Sequence, residues 1–128
     1  MAAAVEHRPH LPQRVPIDGY GKGGFGFGGM SHRGSLLCLP SGLWAWPVER
    51  PADIDEAALA PIFAEASDIG LLLIGAGRDR WIMPEALHAL FHARKLSVEV
   101  SRTGTAVSTY NILLGEGRRV AAALIAVE

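Results

Sequence analysis

The sequence predicts an α/β domain in which strands and helices alternate, with a short antiparallel meander ahead of them. Three observations carry this. From about residue 53 onward the hydrophobic pattern switches repeatedly between a helical and a strand-like period. Before that point, short apolar runs are separated by glycine-bearing turns. The chain has 128 residues, 49% of them hydrophobic, enough for one compact domain with a real core and too few for two.

Taken in order, residues 1–18 read as a flexible proline-rich lead, with Pro12 and Pro16 suiting an extended tether, and residues 19–128 as a single α/β domain. The lead, "MAAAVEHRPHLPQRVP", has no apolar core segment and does not read as a secretion signal. The stretch "GYGKGGFGFGG" places Gly21, Gly23 and Gly26 in the G-x-G-x-x-G spacing of a dinucleotide-binding loop. That loop works only between a buried strand and a helix N-terminus, and neither flank here supplies one. What the stretch shows is alternation: Phe25 and Phe27 fall on one face, Gly24, Gly26 and Gly28 on the other, which predicts a glycine-faced strand. After a turn at "SHRG", the runs "SLLCLP" and "LWAWPV" read as two further short strands, with φ-permissive glycines at Gly34 and Gly42. Both faces of the first run are apolar, so Cys38 reads as a small buried hydrophobe rather than a nucleophile.

The segment "PADIDEAALAPIFAEASD" then adopts helical period, with Ala58, Leu59, Ile62, Phe63 and Ala66 on one face and Asp53 and Glu56 spaced as a capping box. Pro61 requires either a helix starting near Leu59 or a kink in a longer one. Ile69 to Gly75 is a continuous apolar run, the pattern of a strand buried on both faces. "PEALHALFHARK" is a helix with Pro84 in its first turn and Leu87, Leu90 and Phe91 inward. "LSVEVS" is the next strand, "TGTAVSTYNILLGEG" a helix presenting Ala106, Tyr110, Leu113 and Leu114, and Val120 to Val127 a central or near-central strand whose alanines admit a close layer. Strand–helix–strand alternation calls for parallel pairing and right-handed crossovers.

Composition excludes several functions. The formal charge of −1 is spread evenly, without the basic footprint of a nucleic-acid binder. Cys38 is the only cysteine, so an internal disulfide and a multi-cysteine zinc site are both ruled out and a reducing cytoplasm is the expected compartment. No apolar run approaches the roughly 20 residues of a membrane span. His88 and His92 have metal-pair spacing, but they share the predicted solvent stripe with Glu85 and Lys95, and no metal is expected there. Glu116 beside Arg118 and Arg119 reads as an ion pair. No nucleophile elbow, Walker loop or triad can be assembled, so no enzyme activity and no cofactor are predicted.

In open α/β sheets, ligands collect beyond the carboxyl ends of parallel strands. Two such ends stand out here. "GAGRDRW" follows the buried strand with Gly75, Gly77, Arg78 and Arg80; "SRTGT" follows the next with Arg102 and with Thr103 or Thr105 placed to cap the third helix. If the two strands are neighbours, these residues form an anion-binding crevice. Turn glycines, a capping threonine and solvated arginines are also ordinary parts of such a fold, and the sequence leaves both readings open.

The motifs "GYGKGGF", "GSLLCLPSGLWAWPV", "LLLIGAG" and above all "TGTAVSTYNILLGEGRRVAAALI" resemble a domain-of-unknown-function family that contains the mitochondrial respiratory complex I assembly factor 3 and an adipogenesis-associated protein. The resemblance runs from about Ile17 to the C-terminal end. It implies a three-layer fold around a mixed central sheet and implies no catalytic residue. Because the mitochondrial members assist assembly of a membrane complex, it implies a non-enzymatic assembly-accessory role with a protein partner, acting as monomer or homodimer.

Overall fold

The computed structural model describes residues 9–128; the first part of the predicted lead, residues 1–8, lies outside the described residues. Among the described residues eight strands and three α-helices follow one another: β1 (Gly19–Gly21), β2 (Gly24–Phe27), β3 (Met30–Arg33), β4 (Ser35–Leu39), β5 (Gly42–Trp46), α1 (Glu56–Phe63), β6 (Leu71–Gly75), α2 (Glu85–Ala93), β7 (Val98–Ser101), α3 (Thr103–Gly115) and β8 (Val120–Leu124). The strands form two sheets, one of three strands in the order β1-β2-β3 and one of five in the order β5-β4-β8-β6-β7.

The five-stranded sheet is mixed. β6 pairs in parallel with both β7 and β8, whereas β4 pairs antiparallel with β5 and β8. Strand β8 is therefore the central strand, as its all-buried pattern requires. Alternate residues of the sheet feed two cores. Leu72, Ile74, Ala121 and Ala123 meet Leu59, Ile62 and Phe63 of α1 and Leu87 and Phe91 of α2. On the opposite face Leu36, Cys38, Leu73, Ala122 and Leu124 meet Ala106, Val107 and Tyr110 of α3 together with Phe25 and Phe27 of β2. The result is three layers: two helices, the mixed sheet, and a third layer made of α3 and the small sheet.

The chain departs from the sequence reading in four places. "SHRG" is not a plain turn, because Met30–Arg33 is a strand whose His32 lies opposite Phe25 and whose Ser31 lies opposite Gly26. The predicted meander is divided. The Gly–Phe strand folds with its own neighbours into the small sheet, while β4 and β5 become the antiparallel edge of the main one. Two apolar faces explain the split, since β4 is buried at all five positions and needs a covering layer on each side. The capping box is displaced: Asp55, not Asp53, is the N-cap of α1 and accepts from the Ala58 N–H at 2.8 Å, while Asp53 closes a short 3-10 turn, Pro51–Asp53. Finally, β8 ends at Leu124 rather than Val127. Pro61 sits inside α1, two residues before its end, where few later turns depend on the missing N–H.

Asp55→Ala should cost about 1 kcal/mol of unfolding free energy in urea titration, the usual value of a lost N-cap. A change indistinguishable from zero would mean that α1 is held by packing alone.

Part of the predicted lead is tied to the domain. The His10 N–H donates to the Leu43 carbonyl at 2.6 Å and the Leu43 N–H to the Leu11 carbonyl at 3.0 Å, covering the free edge of β5. Gly42 makes this approach possible, for its φ is +142° and a Cβ there would overlap the Leu11 carbonyl. Asn111 of α3 grips the Ile17 backbone through both its amide donor and its carbonyl, each bond 2.8 Å long.

Candidate functional site

Strands β6 and β7 are parallel neighbours, with Ile74 opposite Val100 and Gly75 opposite Ser101, so their carboxyl ends open at the same place. A cleft of about 660 Å³ lies there, with Gly77, Arg78, Arg102, Gly104 and Thr105 among its walls. Helix α3 begins at this point, and the first-turn N–H groups of Gly104 and Thr105 have no preceding helical carbonyl to bind.

Of the sequence-predicted residues, Gly77, Arg78, Arg102 and Thr105 thus line one cleft. Arg80 does not. It turns into a separate depression, which Arg78 also borders, beside Arg50 and Trp81. Gly75 is buried below the cleft, where a Cβ would meet the Thr103 Cα at 2.9 Å and the Leu124 side chain at 3.0 Å; its role is to let α3 approach β6.

Neither threonine caps α3 through its side chain. Arg102 is the N-cap residue and makes no side-chain capping bond. The Thr103 hydroxyl instead donates to the Ile125 carbonyl at 2.7 Å and accepts from the Gly77 N–H at 2.9 Å, in full burial. It joins α3, the chain just past β8 and the loop after β6 at one point, and the Thr103 N–H donating to the Gly77 carbonyl at 2.9 Å reinforces the joint.

One wall of the cleft was not read from the sequence. Tyr20 of β1 lies against the first turn of α3, and a Cβ on Gly104 would run into its phenol. The aromatic ring among the glycines was the only local sign, and nothing short of the packing of the small sheet on α3 connects the two. The charge of the cleft is mixed, since Glu128 also borders it and its backbone carbonyl accepts from the Arg78 guanidinium at 3.3 Å.

The remaining candidates take structural places. Gly21 and Gly24 are paired across the β1–β2 hairpin, and the segment after Gly26 continues as strand, so no helix N-terminus faces a phosphate there. Phe25 and Phe27 are buried in that strand. Cys38 is enclosed, and its burial pushes the thiol up to about 12, which leaves it protonated and unreactive at neutral pH. Tyr110 is raised as well, first by burial and then by the adjacent Cys38, and its hydroxyl has no partner of hydrogen-bonding geometry among the described residues. His88 and His92 are exposed on α2. Among the described residues no three His, Cys, Asp or Glu side chains are arranged to hold a metal ion. Glu116 and Arg118 are 4.0 Å apart and both exposed.

The profile of a protein family of unknown function, DUF498/DUF598, matches residues 17–125. The chain belongs to the DUF498/DUF598 family. Its matched span holds both sheets and all three helices. Among similar proteins, an uncharacterised one from Rhodobacter capsulatus is 38% identical over 117 residues, covering 91% of this chain and 89% of that protein. The mouse NADH dehydrogenase [ubiquinone] 1 alpha subcomplex assembly factor 3 is 34% identical over 116 residues, covering 90% of this chain. The chain spans 62% of the length of that mouse relative. A crystal structure described as that of an outer membrane protein from Bartonella henselae superposes with a TM-score of 0.89 at 44% identity, over 93% of this chain and 100% of the other. In this DUF498/DUF598 chain, no helix among the described residues is long and apolar enough to cross a membrane.

Proposed function

We propose that the protein is a non-enzymatic assembly-accessory factor that works by holding a protein partner, in the manner of a subunit chaperone for a respiratory membrane complex. The observation that carries this reading is the likeness to the mouse assembly factor, which extends over 90% of this chain rather than over one motif. The compartment proposed with it is the cytoplasm, where a lone thiol such as Cys38 stays reduced. Deleting the gene in the native host should lower the amount of fully assembled NADH dehydrogenase on native gels, and affinity capture should retrieve a subunit or intermediate of that complex. Normal assembly in the deletion strain would refute the role.

A second reading, that the cleft holds a small oxyanion, is favoured by the convergence of Arg78, Arg102 and the α3 N-terminus on one volume. A ligand that prefers the native state stabilises it by mass action, about 2.7 kcal/mol at a concentration 100 times its Kd. Phosphate or a carboxylate should therefore raise the Tm of the wild type. The shift should vanish in Arg78→Ala/Arg102→Ala, whose unliganded Tm stays near that of the wild type because exposed arginines contribute little to folding. Equal shifts in both proteins would exclude the cleft.

A further inference from the structure

The segment ahead of β1 is held at two places of unequal strength. Next to β1, the Arg14 guanidinium donates to the Val120 carbonyl at 2.9 Å and Asn111 brackets the Ile17 backbone. Beyond exposed Pro12 and Gln13, the pairing among the described residues is one isolated bridge between Leu11 and Leu43, so side chains must do the rest of the holding. Partly buried Leu11 packs on the core beneath α3 and the small sheet, over Gly28. The His10 ring rests against the His32 ring of β3, their centroids 4.6 Å apart and their planes tilted by 48°, with the Phe27 centroid at 6.3 Å.

Two imidazoles this close pack well while neutral and repel each other when both are charged. The Nε2 of His32 faces the Ser35 carbonyl at 3.0 Å; a carbonyl only accepts, so Nε2 carries a hydrogen and a further proton enters at Nδ1. Among the described residues neither ring forms an ion pair with a carboxylate that would offset the repulsion. Arg33, next along β3, leaves by the opposite face of the strand, and Arg14 is turned to Val120, so His32 is the charged neighbour of His10. We propose that the His10–His32 pair makes residues 9–13 an acid-released cover of the β5 edge, closed while the rings are neutral and open once both carry a proton. Partial burial first, and the charge of His32 second, hold docked His10 below the ordinary imidazole value of 6.5. The docked arm therefore binds fewer protons than the released one, and docking weakens as the pH falls through that value. Release bares the N–H and carbonyl of Leu43. Alternate residues of an edge strand turn their backbone groups outward, so exposed Ala45 extends the same edge. An edge of this kind accepts an added strand, and the arm denies it to other chains at neutral pH. The device is independent of the accessory role, since it sets when the edge is open whatever pairs with it.

The Leu43 amide reports on the cover directly, because its N–H donates to the Leu11 carbonyl. Its hydrogen exchange, taken as protection relative to the intrinsic rate at each pH, tests the proposal. From about pH 7.5 to about pH 5 the wild type should lose about threefold or more of the protection at Leu43, while the Ala122 amide of central β8 keeps its own. His10→Phe keeps a ring against Phe27 and takes up no proton, so its Leu43 protection should stay level over the same range. His32→Gln keeps an N–H for the Ser35 carbonyl and removes the second charge, so its loss should be smaller than that of the wild type. Level protection at Leu43 in the wild type would overturn the inference, as would an equal loss in both variants or a parallel loss at Ala122.

Discussion

Thr103→Val should lower the unfolding free energy by about 2–4 kcal/mol, because the substitution keeps the shape but strips a buried donor and acceptor of their partners. The lost hydroxyl donates to the Ile125 carbonyl and accepts from the Gly77 N–H, and no water reaches a side chain that is fully buried. The two backbone groups left behind belong to the residue just past β8 and the loop after β6, so amide exchange should accelerate first at Gly77 and around Ile125. Thr103→Ser retains the hydroxyl and should recover much of the loss, the remainder being the missing methyl. Urea titration of the three proteins decides the matter. A Thr103→Val protein within about 0.5 kcal/mol of wild type would show that the joint is not closed as described.

Ala122→Leu and Ala123→Leu should each cost about 1–3 kcal/mol through overpacking. The two residues are adjacent in β8 but point to opposite faces: Ala122 toward α3 and the small sheet, Ala123 toward α1 and α2. Both are fully buried, so the added isobutyl group has to displace buried neighbours. On this geometry the two variants fail in different layers. Ala122→Leu should loosen the small sheet, seen as faster exchange at Phe25 and Phe27, and Ala123→Leu should disturb α1 and α2. A pair of variants melting with the wild type would mean that one layer is held more loosely than its burial indicates.

Element positions were legible because the forces that set them are local. The continuous run Leu71–Gly75 and the apolar positions Leu87 and Phe91 mark a two-faced strand and a one-faced helix whatever surrounds them. The errors fell where a local signal had two outcomes. Met30–Arg33 carries turn-forming residues, yet pairing with β2 makes it a strand, and Asp53 and Asp55 are equally good caps until the chain direction before α1 selects the second. At the cleft, the sequence grouped Gly77, Arg78, Arg102 and Thr105, which line one volume because consecutive parallel strands tend to lie side by side. It misplaced Arg80, which lies two residues beyond Arg78 on a turn whose path depends on where Trp81 finds the core.

By itself, then, the sequence determined the α/β class, the order of the helices and of the main-sheet strands and the apolar faces that each must bury, since side-chain periodicity and turn chemistry act over a few residues. Only the tertiary structure decided that β8 is inserted between β4 and β6, that the glycine-rich strand leaves the main sheet to cover it, and that Tyr20 closes over Gly104. It likewise turned Thr103 from a cap into a buried joint. These are choices among long-range contacts of similar local cost, and they are settled by which arrangement covers both faces of β4 and β8 at once and leaves few buried polar groups without a partner.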